Sequence, residues 1–396
     1  MSKTVCIIGA GALPVGKYQR PRDAAIQVLE RELLAGVVIA ALDDAGVGKE
    51  DVGSLVFGIE RDYPKQRYFA TFMANYLRLA ATGTVMEVVG NGMTGGLAFD
   101  KAADEIALGR AKVALALGIN MESAIPTGEH LNNSMRHTGD VDFHTPSGFM
   151  PISWYAMDAM RYMHDHGATR AEIAAVAVKN RFHASLNPLA QYRKRITLED
   201  VFAQRLIVEP LGLFEVPGRA DGAVCIVLAD EDTAQATGQP YLRLRGRGFY
   251  HEGAHQISEV PNDMTEFIAA QMAAQTAYSE AGITADDLDL AEIYAPCTIV
   301  EVLVSEALGL APRGGGARAA HDGETTLGGR IPICTSGGCL SRGHPPFVTG
   351  LYNFVELAEQ LRHRAGERQV ANARLGLSVS ELGNYNAALV HILEAA

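Results

Sequence analysis

The chain has 396 residues, 48% of them apolar and 20% charged, and a net charge of −12. That length exceeds the ~250–300 residues at which one core stops growing, so more than one packed unit is expected, with a sizeable buried interior. The acidic balance, with no basic run beyond groups such as Arg193-Lys194-Arg195, argues against binding nucleic acid or an anionic membrane, and no apolar stretch of ~18 residues is present to span a bilayer.

Met1-Ser2-Lys3-Thr4 is not expected to open a signal peptide, and a cytoplasmic protein is expected. Residues 4–9 read as a buried strand leading into Gly9-Ala10-Gly11. The next stretch, Gly11-Ala12-Leu13-Pro14-Val15-Gly16-Lys17, has the spacing of a phosphate loop. Tyr18, however, stands where a metal-binding hydroxyl belongs, and Pro14 removes a cradling amide, so no nucleotide cofactor is expected. An amphipathic helix then closes on Ala45-Gly46, with the glycine as its C-cap, before an acidic helical turn and an apolar strand over 55–59. A strand over 85–89 runs into the turn Asn91-Gly92-Met93-Thr94-Gly95 and a helix from 94 to about 109, and a strand over 112–118 ends this run.

From 122 to 205 the pattern changes to polar, irregular segments with helices over 155–167 and 170–184. This is the pattern of an insertion held over the strand ends of a rigid sheet. Asp221-Gly222-Ala223-Val224-Cys225-Ile226-Val227-Leu228 returns as a buried strand.

The second half repeats the first. A strand over 241–248 precedes a helix over 263–281, a strand over 290–294, a strand over 331–334 that enters a glycine turn, a helix over 349–364, and a hairpin of 375–380 with 387–393. Ala41-Leu42-Asp43-Asp44-Ala45-Gly46 aligns without a gap on Ala277-Tyr278-Ser279-Glu280-Ala281-Gly282. The alternation predicts an α/β protein of two duplicated, doubly wound βαβαβαββ halves, one formed by 1–121 with 206–240 and the other by 241–396, with 122–205 inserted as a loop domain.

Several motifs carry a resemblance. Ser336-Gly337-Gly338-Cys339-Leu340-Ser341-Arg342-Gly343-His344-Pro345 holds the glycine-histidine-proline signature of a thiolase. Lys179-Asn180-Arg181, His183-Ala184, Asn187-Pro188, Ala190-Gln191 and Asp221-Gly222-Ala223 resemble the sterol-carrier branch of that superfamily. The likeness runs through essentially the whole chain and implies the thiolase fold.

The chemistry implied is different. The family's asparagine-cysteine-alanine-threonine-glycine has Gly92 at the cysteine position, so no acyl-enzyme forms there. Its histidine-aspartate-cysteine-phenylalanine becomes Tyr294-Ala295-Pro296-Cys297, a phenol replacing an imidazole, and the C-terminal catalytic segment becomes Ser380-Glu381-Leu382-Gly383-Asn384-Tyr385-Asn386. Loss of the nucleophile with gain of a tyrosine resembles thiolase-like aldolases that shorten steroid side chains as coenzyme A thioesters beside a small OB-fold partner. A second tyrosine of those enzymes falls at His344 in this sequence.

The resemblance therefore implies non-covalent retro-aldol cleavage of a β-hydroxyacyl-CoA, with coenzyme A as part of the substrate and no separate cofactor. Tyr294 and His344 are the expected catalytic pair, and turn amides near Gly92 or Gly383 the expected oxyanion donors. A side chain absent at Gly92 is expected to leave room for a bulky, branched β-carbon. His144, Cys297, Cys339 and Ser380 are candidate pocket residues. A homodimer and an OB-fold partner are the expected assembly. The competing readings are a Claisen-type acyltransferase using Cys297 or Cys339, and a non-catalytic scaffold subunit. Cys6, Cys225, Cys297, Cys334 and Cys339 form no disulfide framework and no zinc cluster, so free thiols and no metal are expected.

Overall fold

A computed structural model describes residues 3–18, 29–59, 66–136, 141–143, 145–252, 263–383 and 385–396. The first half runs β1 (Val5–Ala12), α1 (Glu30–Ala45), β2 (Ser54–Gly58), α2 (Phe69–Leu77), β3 (Val85–Val88), α3 (Thr94–Ala107) and β4 (Val113–Met121). Next come α4 (Thr127–Met135), α5 (Pro151–His166), α6 (Arg170–Ser185), α7 (Leu198–Phe202), and a short pair, β5 (Leu206–Val208) with β6 (Leu211–Gly212). The chain continues through β7 (Asp221–Asp230), α8 (Glu231–Ala236), β8 (Leu242–His251), α9 (Ile268–Ala281), β9 (Leu290–Ile293) and α10 (Thr298–Ala307). It ends with α11 (Gly316–His321), α12 (Thr349–Leu361), β10 (Leu375–Glu381) and β11 (Ala387–Ala395).

Nine strands form one sheet in the order β3-β2-β4-β7-β1-β8-β11-β10-β9. The order is that of two similar halves back to back, joined where β1 meets β8 through Cys6 opposite Arg243 and Ile7 opposite Leu242. The matching helices α1 and α9 both end on a left-handed glycine, Gly46 at φ 67° and Gly282 at φ 69°. Each strand divides its residues between two faces, as a period of two requires. On β1, Cys6 and Ile8 join the core under α1, whereas Val5 and Ile7 join the core that holds α3 and α12. Those two helices pack on each other, with Phe99 stacked on Phe354 at 3.8 Å between ring centroids.

Three predicted features differ. Residues 331–334 make a single bridge, Ile333 to Ala291, rather than a strand. Pro332 has no amide to give a ladder, and Cys334 turns to φ 56°, which ends the extension. The acidic stretch after Gly46 is a turn closed by Asp51 accepting the Gly48 amide at 2.8 Å, not a helical turn. Helix α9 starts at Ile268, five residues later than 263, and α2 and α10 carried no sequence signal strong enough to place them.

Between β4 and β7, helix α6 is capped on both sides of its first turn by Thr169 and Glu172. It is tied to α10 by a buried ion pair of Lys179 with Glu301, whose second oxygen accepts from Asn180 at 2.9 Å. Asp221, of the Asp-Gly-Ala motif, accepts the backbone amides of Tyr18 at 2.8 Å and Ser123 at 2.7 Å. A fully buried carboxylate thus ties the chain ahead of α4 and the loop after β1 to one point.

Candidate active site

Tyr294 follows β9 and extends its pairing, the amide donating to Val379 on β10 at 3.1 Å. This delivers the phenol to the ends of the parallel strands, where doubly wound folds place their ligands. His344 comes from the turn after residues 338–342. Gly343 stands before it at φ 115°, and a Cβ there would lie 2.5 Å from Val15 and 2.9 Å from Gln191, so only glycine fits. Buried Arg342 holds the turn from within through Asn353 at 3.0 Å and Ser336 at 3.2 Å. The backbone of His344 bridges that of Arg219.

The Tyr294 hydroxyl and His344 Nε2 are 2.8 Å apart, with the rings edge to face at 5.4 Å. Both line a cavity of about 230 Å³, together with Asn91, Glu122, His130, Tyr155, Arg219, Cys297 and Gly383. Its remaining wall is largely apolar, with Ile125, Met150, Ile152, Pro296 and Phe347.

The position without a side chain is occupied. A Cβ on Gly92 would stand 2.7 Å from Cζ and 2.9 Å from the hydroxyl of Tyr294, and 2.5 Å from the Glu381 carbonyl oxygen. The expected room for a bulky substrate carbon at Gly92 is therefore absent, because the phenol fills it. Glycine is needed at 92 so that Tyr294 and the end of β10 can pass.

Other sequence expectations are also revised. The Gly383 amide donates to the Glu381 carboxyl, and its carbonyl accepts from the Tyr155 hydroxyl at 2.7 Å, so this amide is committed within the protein rather than aimed at an oxyanion. Ser380 packs away from the cavity, close to Gly96 and Gly350 at the starts of α3 and α12. Cys339 is fully buried and does not line the cavity. Cys297 does line it, but its thiol sits at the start of α10 in a dry environment. A helix N-terminus ordinarily favours a thiolate. At this site burial dominates and pushes the Cys297 thiol well above its usual range, with the carboxyl of Glu215 adding to the effect. Burial likewise lifts Cys339 to about 12. Neither is a ready nucleophile. His144 lies outside the described residues.

Burial also sets the protonation of the pair. The Tyr294 phenol is raised well above its ordinary pKa, first by desolvation and then by Cys339 and the Glu381 carboxyl. His344 is held down to about 3 by desolvation, with the Arg342 guanidinium and His130 acting in the same direction. Near neutral pH the pair is a neutral phenol beside a neutral imidazole.

Glu381 was not singled out from sequence, although a carboxyl closing an otherwise uncharged strand was a visible signal. It is fully buried with Oε1 unpartnered, and burial raises its pKa to about 8. Arg219, Tyr155, Glu122 and His130 were also missed, and of these only Arg219, a charge abutting the buried Asp-Gly-Ala strand, stood out in the pattern.

The sequence matches the thiolase N-terminal domain over residues 5–209 and a thiolase C-terminal domain-like family over 251–395. The chain belongs to the thiolase superfamily. It is 31% identical to an acetyl-CoA acetyltransferase of Methanothermobacter thermautotrophicus over 371 residues, covering 91% of this chain and 94% of that one. Human sterol carrier protein 2 is 30% identical over 324 residues, 77% of this chain and 57% of that protein, which places this superfamily member on the sterol-carrier side. The solved structure of the Ltp2-ChsH2(DUF35) aldolase superposes with a TM-score of 0.84 at 26% identity, covering 99% of this chain and 98% of that one. The thiolase fold is thus shared with relatives described both as transferases and as an aldolase. Among the described residues, no helix is long and apolar enough to cross a membrane.

Proposed function

We propose that this thiolase-superfamily protein cleaves a β-hydroxyacyl-CoA by a non-covalent retro-aldol reaction, giving a ketone and a shorter acyl-CoA. The observation that carries the reading is the neutral Tyr294–His344 pair, its phenol seated where a nucleophile's side chain would project from position 92. A side chain cannot be restored at 92 while Tyr294 is in place, and the cavity's own thiol is protonated.

In this reaction the β-hydroxyl loses its proton, the Cα–Cβ bond breaks, and the oxygen left on Cβ becomes the ketone carbonyl. The bonding pair moves to Cα and is spread onto the thioester oxygen as an enolate, which then takes a proton at Cα. With Nδ1 carrying the imidazole proton, Nε2 accepts from Tyr294, and the phenol oxygen in turn accepts from the substrate hydroxyl. Tyr294 then relays that proton to His344, and the imidazolium returns it to Cα. The raised pKa of Tyr294 and the depressed pKa of His344 argue against a standing phenolate or imidazolium, so the relay is concerted, with the imidazole protonated only as the enolate charge grows beside it. The positive imidazolium lies beside the growing enolate charge, in a site dry enough for that attraction to be strong.

The aldolase relative supports this reading, and its structure is that of a pairing with ChsH2(DUF35), so a partner subunit is part of the proposal, together with the OB fold of that partner and the homodimer that the family resemblance implies. Thioesters with a tertiary β-hydroxyl, steroid side chains among them, are the substrates to assay first. Release of ketone and the shorter acyl-CoA, with Tyr294→Phe slowed ~10²–10⁴-fold, is the expected result. Unchanged turnover in that variant removes Tyr294 from the mechanism.

A second reading, acyl transfer through Cys297, is favoured by the thiol's place in the cavity wall and by the acetyltransferase relative. Intact mass after incubation with an acyl-CoA separates the two, since only transfer leaves an acyl group on the chain.

A further inference from the structure

Arg219 puts a cation into the cavity wall that no carboxylate among the described residues neutralises. Its Nη2 donates to the backbone carbonyls of Glu122 and of Ile125, the latter at 2.5 Å. Nε is buried without an acceptor, and no further partner of the guanidinium exists among the described residues. Of the five N–H donors of an arginine, two at Nη2 are used and three are not. Elsewhere Arg170 pairs with Glu215, Arg362 with Asp44 and Arg368 with Glu356, whereas Arg181, whose Nε is also buried without an acceptor, lies over the rings of Tyr192 and Phe214 rather than at a cavity.

A partly desolvated charge without a counterion is costly, so its retention at a cavity points to an anion brought by a ligand. Among the other described titratable side chains of the cavity, Glu122 is the one carboxylate, and its charge is felt at Tyr294. Glu122 gives Arg219 its backbone carbonyl and forms no ion pair with it, His130 and His344 are bases, Tyr155 and Tyr294 are phenols, and Cys297 is a protonated thiol. The two backbone carbonyls fix the guanidinium in place, so the unused donors are preorganised. The backbone of Arg219 bridges that of His344, and Arg219 lines the same cavity as the Tyr294–His344 pair. A group held there belongs to the acyl part of the substrate rather than to a distant part of its carrier.

We propose that Arg219 is a specificity residue that receives a carboxylate on the acyl chain, so that the preferred substrates are monothioesters of dicarboxylic acids. This deepens the retro-aldol reading and rests on it for the reaction, but its test needs no turnover. Titration calorimetry on the full chain compares glutaryl-CoA with pentanoyl-CoA, equal in length and both lacking a β-hydroxyl. The expected result is a preference of about tenfold or more for glutaryl-CoA, lost in Arg219→Gln and partly kept in Arg219→Lys. Equal affinities in the unmodified protein overturn the proposal without any variant. So does an Arg219→Gln protein that weakens free coenzyme A and both thioesters by one common factor, which would assign the guanidinium to a carrier phosphate. Failure to find aldolase activity leaves this ligand preference standing or falling on its own measurement.

Discussion

Replacing Gly92 by alanine tests the central geometric claim, that the phenol of Tyr294 occupies the space of a side chain at this position. The backbone of Gly92 is not in the left-handed region, so alanine carries no conformational penalty and its effect is purely steric. The added carbon would stand 2.5 Å from the Glu381 carbonyl oxygen and 2.7 Å from Tyr294 Cζ, both well inside van der Waals contact. Overpacking of this kind costs ~1–3 kcal/mol, so a loss of about 2 kcal/mol is expected in denaturant unfolding. The ring has to yield, because β10 is held at that point by Tyr294's own amide bond to Val379 and by pairing of Glu381 with Ala388. Moving the ring breaks the 2.8 Å contact with His344, and a displacement near 1 Å is expected to lower kcat ~10²-fold. Part of the cost belongs to Tyr294 and part to Glu381, so a double-mutant cycle divides it. In a Tyr294→Ala background, Gly92→Ala should cost about 1 kcal/mol less, the rest remaining against the carbonyl. Strict additivity of the two substitutions would refute the reasoning, since it would mean that ring and added carbon never meet.

The Tyr294–His344 pair should act as a unit: Tyr294→Phe, His344→Ala and the double variant are expected to show similar losses of kcat, and multiplicative losses would separate their roles. Glu381, with a folded pKa of about 8 against ~4.3 unfolded, is neutral in the fold at neutral pH. Its raised value means that the fold binds a proton the unfolded chain has released, so its contribution is fully present below pH ~4.3 and is lost as pH rises through about 8. Glu381→Gln should flatten the fall in stability across that window, and urea unfolding from pH 5 to 8.5 that shows equal slopes in both proteins would contradict this. Lys179→Met leaves Glu301 buried with only Asn180 beside it and is expected to cost ~3–5 kcal/mol in unfolding free energy; a loss below 1 kcal/mol would show that the pair contributes little.

The fold was legible where periodicity and punctuation agreed. Gly46 and Gly282 marked equivalent helix ends, and the apolar runs of β2, β4 and β7 were long enough to read as buried strands. Helix α10 was not legible because half of its sequence, Thr-Ile-Val-Glu-Val-Leu-Val-Ser-Glu-Ala, is β-branched, and tertiary burial overrides that preference. The strand expected over 331–334 failed for the opposite reason: local composition suggested extension, while Pro332 and the positive φ of Cys334 limit it to one bridge. The identity of Tyr294 and His344 as site residues came from motif position, but their 2.8 Å contact across fifty residues of chain had no sequence signature.

The same distinction governs how the site's chemistry is read. In sequence, glycine at 92 and tyrosine at 294 are two separate departures from a thiolase, and the first suggests an enlarged pocket. In the structure they are one change, because the ring stands within 3 Å of where a Cβ would be, so the phenol at 294 requires a residue without a side chain at 92. A cysteine cannot return to 92 beside the phenol. Nor is a phenol accommodated at 294 unless 92 lacks a side chain. The volume that a covalent mechanism assigns to sulfur is filled in this chain by a hydroxyl that can only pass protons, with its pKa raised and its imidazole partner neutral. On the proposed mechanism substrate selection then falls to the rest of the wall, where the apolar face from Met150 to Phe347 meets the Arg219 guanidinium, which has no carboxylate partner among the described residues.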